Sequence, residues 1–311
     1  MHAFRHAILS IRPPALNGIS PSCVFLPKGQ WSTYEDFLAE RFPAISPAQW
    51  QRRIEDGHVL DTGGKHIRLS QPYQHGTHLY YYRSPPPETP IPFTETIIYQ
   101  DNWIVVADKP HFLPVIPSGR YLQETLLVRL KRRLNIGTLS PIHRIDRETA
   151  GLVVFSIQPE TRSQYQTLFH SKSVEKYYEA IAPYKPDLPL PAICRSRLVQ
   201  SKASFMKMEA AAGTPNAETK IRLLESKESL ARYALQPQTG KKHQLRVQMA
   251  NLGLPILNDR IYPLLLPEDK DTQSQAKAFS NPLQLLAKTI SFEDPITRQQ
   301  RHFESKQQLR L

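Results

Sequence analysis

Apolar residues in the first quarter of the chain recur twice at helical spacing and then alternate. The stretch "TYEDFLAERFP" (Thr33–Pro43) predicts a short helix, with Thr33 as its cap and Glu35 and Asp36 in the first turn, where acids meet the positive end of the helix dipole. A second helix is predicted in "SPAQWQRRIEDGHV" (Ser46–Val59). Ser46 caps it, Pro47 sits where its missing N–H matters least, and Gly57 ends it. "HVLDTGGKHIRLSQPYQHGTHLYYYR" then reads as short strands separated by Gly-containing turns. "SPPPETPIP" (Ser84–Pro92) reads as a linker, because consecutive prolines favour a stiff extended segment. Residues 1–30 carry no interpretable pattern and are expected to be an N-terminal extension, so that a small domain occupies 31–83, the linker 84–92 and a large domain 93–311.

In the large domain the periodicity changes repeatedly. "IIYQDNWIVVA" (Ile97–Ala107) predicts two strands turning at Asp101–Asn102. "YLQETLLVRLKRRL" (Tyr121–Leu134) predicts a helix with Leu122, Leu126, Leu127 and Leu130 on one face; Arg129, Lys131, Arg132 and Arg133 crowd the rest as a solvated face. Gly151–Ile157 is β-branched and apolar, a buried strand. Thr161–His170 follows as a helix, Lys176–Ala182 as a strand, and Lys241–Gly253 as a helix ended by Gly253.

Composition narrows the class. At 311 residues and 40% hydrophobic, the chain can bury a real core. With 28 Pro and 12 Gly, many short elements joined by Pro-bounded loops fit better than a helical bundle. No apolar run approaches the ~18 residues of a membrane span, and the first residues do not resemble a secretory signal. Two cysteines, Cys23 and Cys194, make neither a zinc site nor a disulfide framework. A cytoplasmic protein is the expectation. The net charge of +12 is uneven: +2 over residues 1–90 and +10 over 91–311. Such a balance points to a polyanionic partner, nucleic acid being the commonest, or else to a well-solvated surface.

The densest polar cluster is "HRIDRETAGLVVFS" (His143–Ser156), which sets His143, Arg144, Asp146, Arg147 and Glu148 directly before an apolar strand. Loops at strand ends commonly hold catalytic groups, because the sheet fixes them while the loop exposes them. Asp146 between Arg144 and Arg147 should stay ionised, which suits a nucleophile or proton acceptor. Alternatively, this is simply a charged loop with internal ion pairs.

The order of further segments favours chemistry. "VVADKPHFLPVIPS" (Val105–Ser118) precedes the cluster; "VEKYYEAI" (Val174–Ile181), "TGKKHQLRVQMANLGLPILND" (Thr239–Asp259) and "LQLLAKTISFEDPITRQQRHF" (Leu283–Phe303) follow it. Together they resemble the RluA-type family of RNA pseudouridine synthases over about Ile97–Phe303. The small unit resembles the alpha-L type RNA-binding domain, in which such a helix pair offers basic side chains to RNA; Arg52 and Arg53 are the candidates here. The resemblance implies an α+β catalytic domain with a long, mostly antiparallel mixed sheet flanked by helices, and no cofactor or metal. It implies a monomer acting on ribosomal or transfer RNA, converting uridine to its carbon-linked isomer. Asp146 falls at the family's essential aspartate. It would either attack the anomeric carbon of the sugar or help remove a neighbouring sugar proton.

Tyr178 would stack on the uracil, with Tyr177 beside it making a one-residue slip consequential. Arg246 of "HQLR" would hold Asp146. Arg144 would fill the gap left by the flipped base. Arg147, Lys109, His143, Lys241 and Lys242 would contact RNA, Lys109 alternatively bracing the loop. The chain departs from the family pattern at Phe112, Lys241–Lys242, Gln248 and Asn258, where Gly, Arg-Thr, His and Gly are usual. Asn tolerates left-handed backbone, so the turn at Asn258 should survive. Two other classes compete: a catalytically silent RNA-binding or ribosome-assembly protein, and a metal-dependent hydrolase using His143, Asp146 and His243.

Overall fold

The computed structural model describes residues 13–16, 18–83, 88–266 and 279–311. The chain divides into two compact units, Met1–Glu88 with Gly119–Gln123, and Thr89–Ser118 with Glu124–Leu311. Residues 84–87 of the proline-rich stretch lie outside the described residues, as do 1–12.

In the smaller unit β1 (Ser22–Phe25) precedes α1 (Tyr34–Arg41) and α2 (Pro47–Glu55), with β2 (Val59–Leu60) and β3 (His78–Tyr81) after them. Both helix starts use the capping residues read from the sequence. Thr33 accepts from the Asp36 N–H and Ser46 from the Gln49 N–H, each with the reciprocal side-chain bond of a capping box. Gly57 closes α2 at φ +71°. The core gathers Leu26, Phe37, Leu38, Trp50, Ile54, Ile67 and Leu79. One expectation is corrected: residues 22–25 are not extension but a strand antiparallel to β3, giving the order β1-β3-β2. Four residues of alternating exposure are too short a pattern to stand out in a sequence.

The larger unit is built on an 11-stranded sheet. Its strands are β4 (Thr96–Gln100), β5 (Ile104–Lys109), β6 (Ser140–Pro141), β7 (Ala150–Ser156), β8 (Glu175–Pro183), β9 (Ala192–Gln200), β10 (Met208–Ala211), β11 (Ala217–Lys227), β12 (Leu230–Pro237), β13 (Leu285–Glu293) and β14 (Gln300–Glu304). The order is β10-β9-β11-β12-β8-β13-β7-β5-β4, with β14 on β13 and β6 on β7. Every pairing is antiparallel except β13 with β7. Helices α3 (Leu126–Leu134), α4 (Arg162–His170) and α5 (Gln244–Asn251) complete it. This is the α+β architecture expected from the sequence. Among the described residues no helix is long and apolar enough to cross a membrane.

Two helices begin later than the sequence pattern suggests. Thr125 caps α3 through the Val128 N–H, so Tyr121 and Leu122 lie outside it. Lys241 and Lys242 precede α5, whose cap position is His243. The polar loop of interest is held between β6 and β7. Just after it, Gly151 has φ +110°, and a Cβ there would lie 2.3 Å from the Ala287 carbonyl oxygen. Only glycine lets β13 come this close, which accounts for the glycine following the charged cluster.

Candidate active site

Strand β7 is buried along its whole length, so the preceding loop is anchored to an interior strand of the sheet. Two side chains brace it from the β5 end. Lys109 donates from Nζ to the carbonyls of Pro110 (2.9 Å) and Arg147 (3.0 Å), and His111 Nδ1 donates to the Glu148 carbonyl at 2.7 Å. His143 Nε2 accepts the Val154 N–H at 3.1 Å, and its ring stacks on Phe169 at 4.6 Å. The loop's backbone is thereby pinned while Asp146 keeps its side chain 26% exposed.

Across from Asp146 lies Arg246, in the first turn of α5 and 1% exposed. Two glutamines fix that helix on the sheet. Gln244 donates to the Glu218 carbonyl and to Thr219 Oγ1, and Gln248 accepts from the same Thr219 hydroxyl at 2.6 Å. The Arg246 guanidinium grips Asp259 with two bonds, Nε to Oδ2 at 2.8 Å and Nη2 to Oδ1 at 2.7 Å. Its remaining nitrogen, Nη1, donates to Asp146 Oδ2 at 3.2 Å and lies 4.0 Å from Glu148. Asp259 is fully buried and its Oδ1 also accepts the backbone N–H groups of Ile261 and Tyr262. Burial opposes the Arg246 charge, but Asp259, Asp146 and Glu148 outweigh it and raise its pKa. Burial likewise pushes Glu148 up, and Arg147 and Arg246 together overcome that and hold it below the usual carboxylate range.

The cationic partner of Asp146 is therefore Arg246, 100 residues away, and not the adjacent arginines suggested by sequence proximity. Arg147 Nε pairs with Glu148 at 2.8 Å, whereas Arg144 is exposed and makes no side-chain bond with the described residues. Asp146 Oδ1 likewise has no protein partner among them. The carboxylate is tethered by one oxygen and presents the other. Tyr178 of β8 stands nearby. Burial raises its hydroxyl pKa and the Asp146 charge adds to the effect, so it holds its proton. Tyr177, one residue earlier and so on the other face, responds after burial to Glu179 instead.

This geometry agrees with the comparisons with known proteins. Residues 103–251 match the RNA pseudouridylate synthase family. An uncharacterized RNA pseudouridine synthase of Synechocystis is 30% identical over 231 residues, covering 73% of this chain and 78% of that protein. The dual-specificity RNA pseudouridine synthase RluA of Haemophilus influenzae is 32% identical, covering 68% and 92%. The chain belongs to the RluA-type family of RNA pseudouridine synthases. A solved structure of human RNA pseudouridylate synthase domain containing 4 superposes with a TM-score of 0.51 at 28% identity, over 68% of this chain and 87% of the human one.

Within this pseudouridine synthase fold, several residues expected to meet RNA are placed otherwise. Lys109 has no exposed surface and burial lowers its pKa to about 7, so it braces the loop and offers nothing to a phosphate. His143 is occupied by Val154 and Phe169, which also takes its Nε2 lone pair from any metal. Arg53 packs over the Trp50 ring at 4.9 Å with Nη1 buried, whereas Arg52 is exposed. Lys241 and Lys242 are exposed, and Lys242 Nζ donates to the Phe205 carbonyl at 3.3 Å. Asn258 adopts φ +65° and Phe112 φ +67°, so both departures from glycine keep a left-handed backbone. The sequence reading missed the structural part played by Asp259 and the side chains of His243 and Tyr262. The only signal for Asp259 was its place at the end of "LPILND".

His143 makes acid stability measurable. Burial, with Lys176 adding to it, pushes its pKa from 6.5 down to about 3. Between those values the unfolded chain binds a proton that the folded one refuses, so this contribution is complete above about pH 6.5 and fades as pH falls toward 3. His143→Gln retains an acceptor for the Val154 N–H and does not titrate. The melting temperature of wild type should fall more steeply than that of the variant between about pH 7 and about pH 4.5. Equal slopes would show that His143 is already protonated in the fold.

Proposed function

We propose that this chain isomerises specific uridines in ribosomal or transfer RNA to pseudouridine, with Asp146 as the essential group. The observation that carries this reading is the one-sided tether of Asp146: Oδ2 held by the buried Arg246 and Oδ1 open, beside Tyr178. The reaction breaks the bond between uracil N1 and ribose C1′, turns the base, joins C5 to C1′ and releases the C5 proton. Nothing is oxidised and no cofactor is required. A carboxylate oriented by a fixed guanidinium can act on the ribose, and placing both groups before the reaction begins avoids reorganisation during it. Tyr178 is read as the ring on which the freed uracil stacks, which would limit its loss to water. All three side chains come from one chain, which supports reading the enzyme as a monomer.

The RNA surface is read from exposed cations near this site: Arg144, Lys241 and Lys242, together with Arg147 at 35% side-chain exposure. Phe205, 84% exposed and tied through its carbonyl to Lys242, adds a ring on which a base can stack. The smaller unit is read as an alpha-L type RNA-binding domain with Arg52 as its exposed contact. Pseudouridine maps of total RNA from cells with and without the gene test the function directly. Loss of one or a few defined sites is expected, restored by the wild-type gene; identical maps would refute the assignment.

Arg144 is exposed, makes no side-chain bond among the described residues and lies two residues from Asp146, so it is suited to occupy the stack vacated by the target base. Unstacking costs a few kcal/mol, so Arg144→Ala should slow turnover on structured RNA by about one to two orders of magnitude. A target nucleotide that is already unstacked should recover part of the binding. Equal impairment on stacked and unstacked substrates would remove this role from Arg144.

A further inference from the structure

His243 occupies the cap position of α5 in a left-handed conformation, φ +54°, yet its side chain makes no cap hydrogen bond. The ring turns instead toward the catalytic cluster. Its Nδ1 is 2.9 Å from the Tyr262 hydroxyl oxygen, and its Nε2 is 3.8 Å from Asp146 Oδ2, within reach of a small side-chain adjustment. The hydrogen bonds around Tyr262 decide which nitrogen carries the proton. The Met208 N–H, at the start of β10, donates to the Tyr262 oxygen at 2.7 Å. Tyr262 is 4% exposed, and His243 Nδ1 is the only acceptor its hydroxyl hydrogen meets among the described residues. Were Nδ1 protonated, that hydrogen would be left buried and unmet. The hydroxyl therefore donates to Nδ1, and the neutral ring carries its proton on Nε2, facing Asp146.

We propose that His243 is a positioning residue for the isomerisation, held as the Nε2–H tautomer by Tyr262 so that its N–H and the Arg246 guanidinium together keep Asp146 Oδ2 in place and leave Oδ1 as the reacting oxygen. This rests on the assignment of Asp146 as the reacting group. The chain of groups runs from backbone to carboxylate: Met208 N–H to Tyr262, Tyr262 O–H to His243, His243 N–H toward Asp146. No proton is transferred along it; the chain fixes direction. Burial lowers the His243 pKa, with Arg246 and Lys242 adding to this and Asp146 and Glu148 opposing it, so the ring is neutral at neutral pH.

The tautomer is read directly from the imidazole nitrogens of the full-length protein labelled with nitrogen-15 at histidine. At neutral pH His243 should show a protonated Nε2 and a bare Nδ1, and Tyr262→Phe should shift the ring toward a mixture of tautomers. A protonated Nδ1 in wild type overturns the proposal whatever the protein's activity. Kinetics then separate positioning from packing. Glutamine places an amide N–H near the Nε2 position, whereas asparagine reaches only as far as Nδ1. In single turnover at saturating RNA, His243→Asn should lose about tenfold to a hundredfold in rate, with RNA affinity and melting temperature nearly unchanged, and His243→Gln should recover most of it. Asparagine matching glutamine, or a loss confined to RNA affinity, would contradict the role. Wild-type protein inactive on every RNA would instead remove the functional assignment and leave the tautomer result standing.

Discussion

Replacing Arg246 with methionine should both abolish turnover and destabilise the fold more than any other single change in the site. The guanidinium is 1% exposed and neutralises Asp259, which is fully buried, while holding Asp146 with its third nitrogen. Methionine fills much of the same volume, so the effect is electrostatic more than a matter of packing. Asp259 would keep the Ile261 and Tyr262 amides but lose its counter-charge. Removing one partner of a buried pair costs about 3–5 kcal/mol, which in a unit of this size lowers the melting temperature by roughly 6–20 °C. Adding Asp259→Asn to Arg246→Met should restore much of the stability and none of the activity, because Asp146 remains untethered. Arg246→Lys should fall between wild type and Arg246→Met in stability, since one ammonium cannot form the fork on Asp259 and reach Asp146 together. A melting temperature within about 2 °C of wild type for Arg246→Met, about 0.5–1 kcal/mol for a unit of this size, would mean that the Arg246–Asp259 pair carries little of the fold.

The parts of the fold and of the site that can be read from sequence are those whose signals are local. Capping residues at Thr33 and Ser46, the apolar run of β7 and the polar loop before it each depend on neighbours a few residues away. Asp146 was legible because it sits within such a loop and within a long family-like segment. Its cationic partner is not a local signal: proximity points to the adjacent arginines, yet Arg147 turns to Glu148 and Arg144 to solvent, while Arg246, to which only the family resemblance pointed, arrives from a distant helix. Lys109 shows the converse. The sequence leaves it between a phosphate contact and a brace for the loop, and its place at the end of a fully buried strand, with two carbonyls to satisfy, decides for the brace. His243 and Tyr262 could not be linked by any periodicity, because a loop, a left-handed residue and the Met208 amide bring them together. The pattern places the start of α3 too early because Leu122 fits the apolar face, while the Thr125 side chain caps the N-terminus three residues later.

The account depends on one charged oxygen of Asp146, and Asp146→Asn tests it most directly. Asparagine keeps the shape of the side chain and can still accept from Arg246, and Arg246 retains its fork on Asp259, so folding and RNA binding should persist. The charge and the nucleophilicity are gone, so the bond between uracil and ribose should stay intact. The measurement is release of tritium from carbon 5 of uracil in labelled substrate RNA, with purified protein in excess over RNA. Wild type should release label to the extent of the modified sites, and Asp146→Asn should remain at background while retarding the same RNA on a gel. Substantial release by pure Asp146→Asn protein would contradict the central assignment.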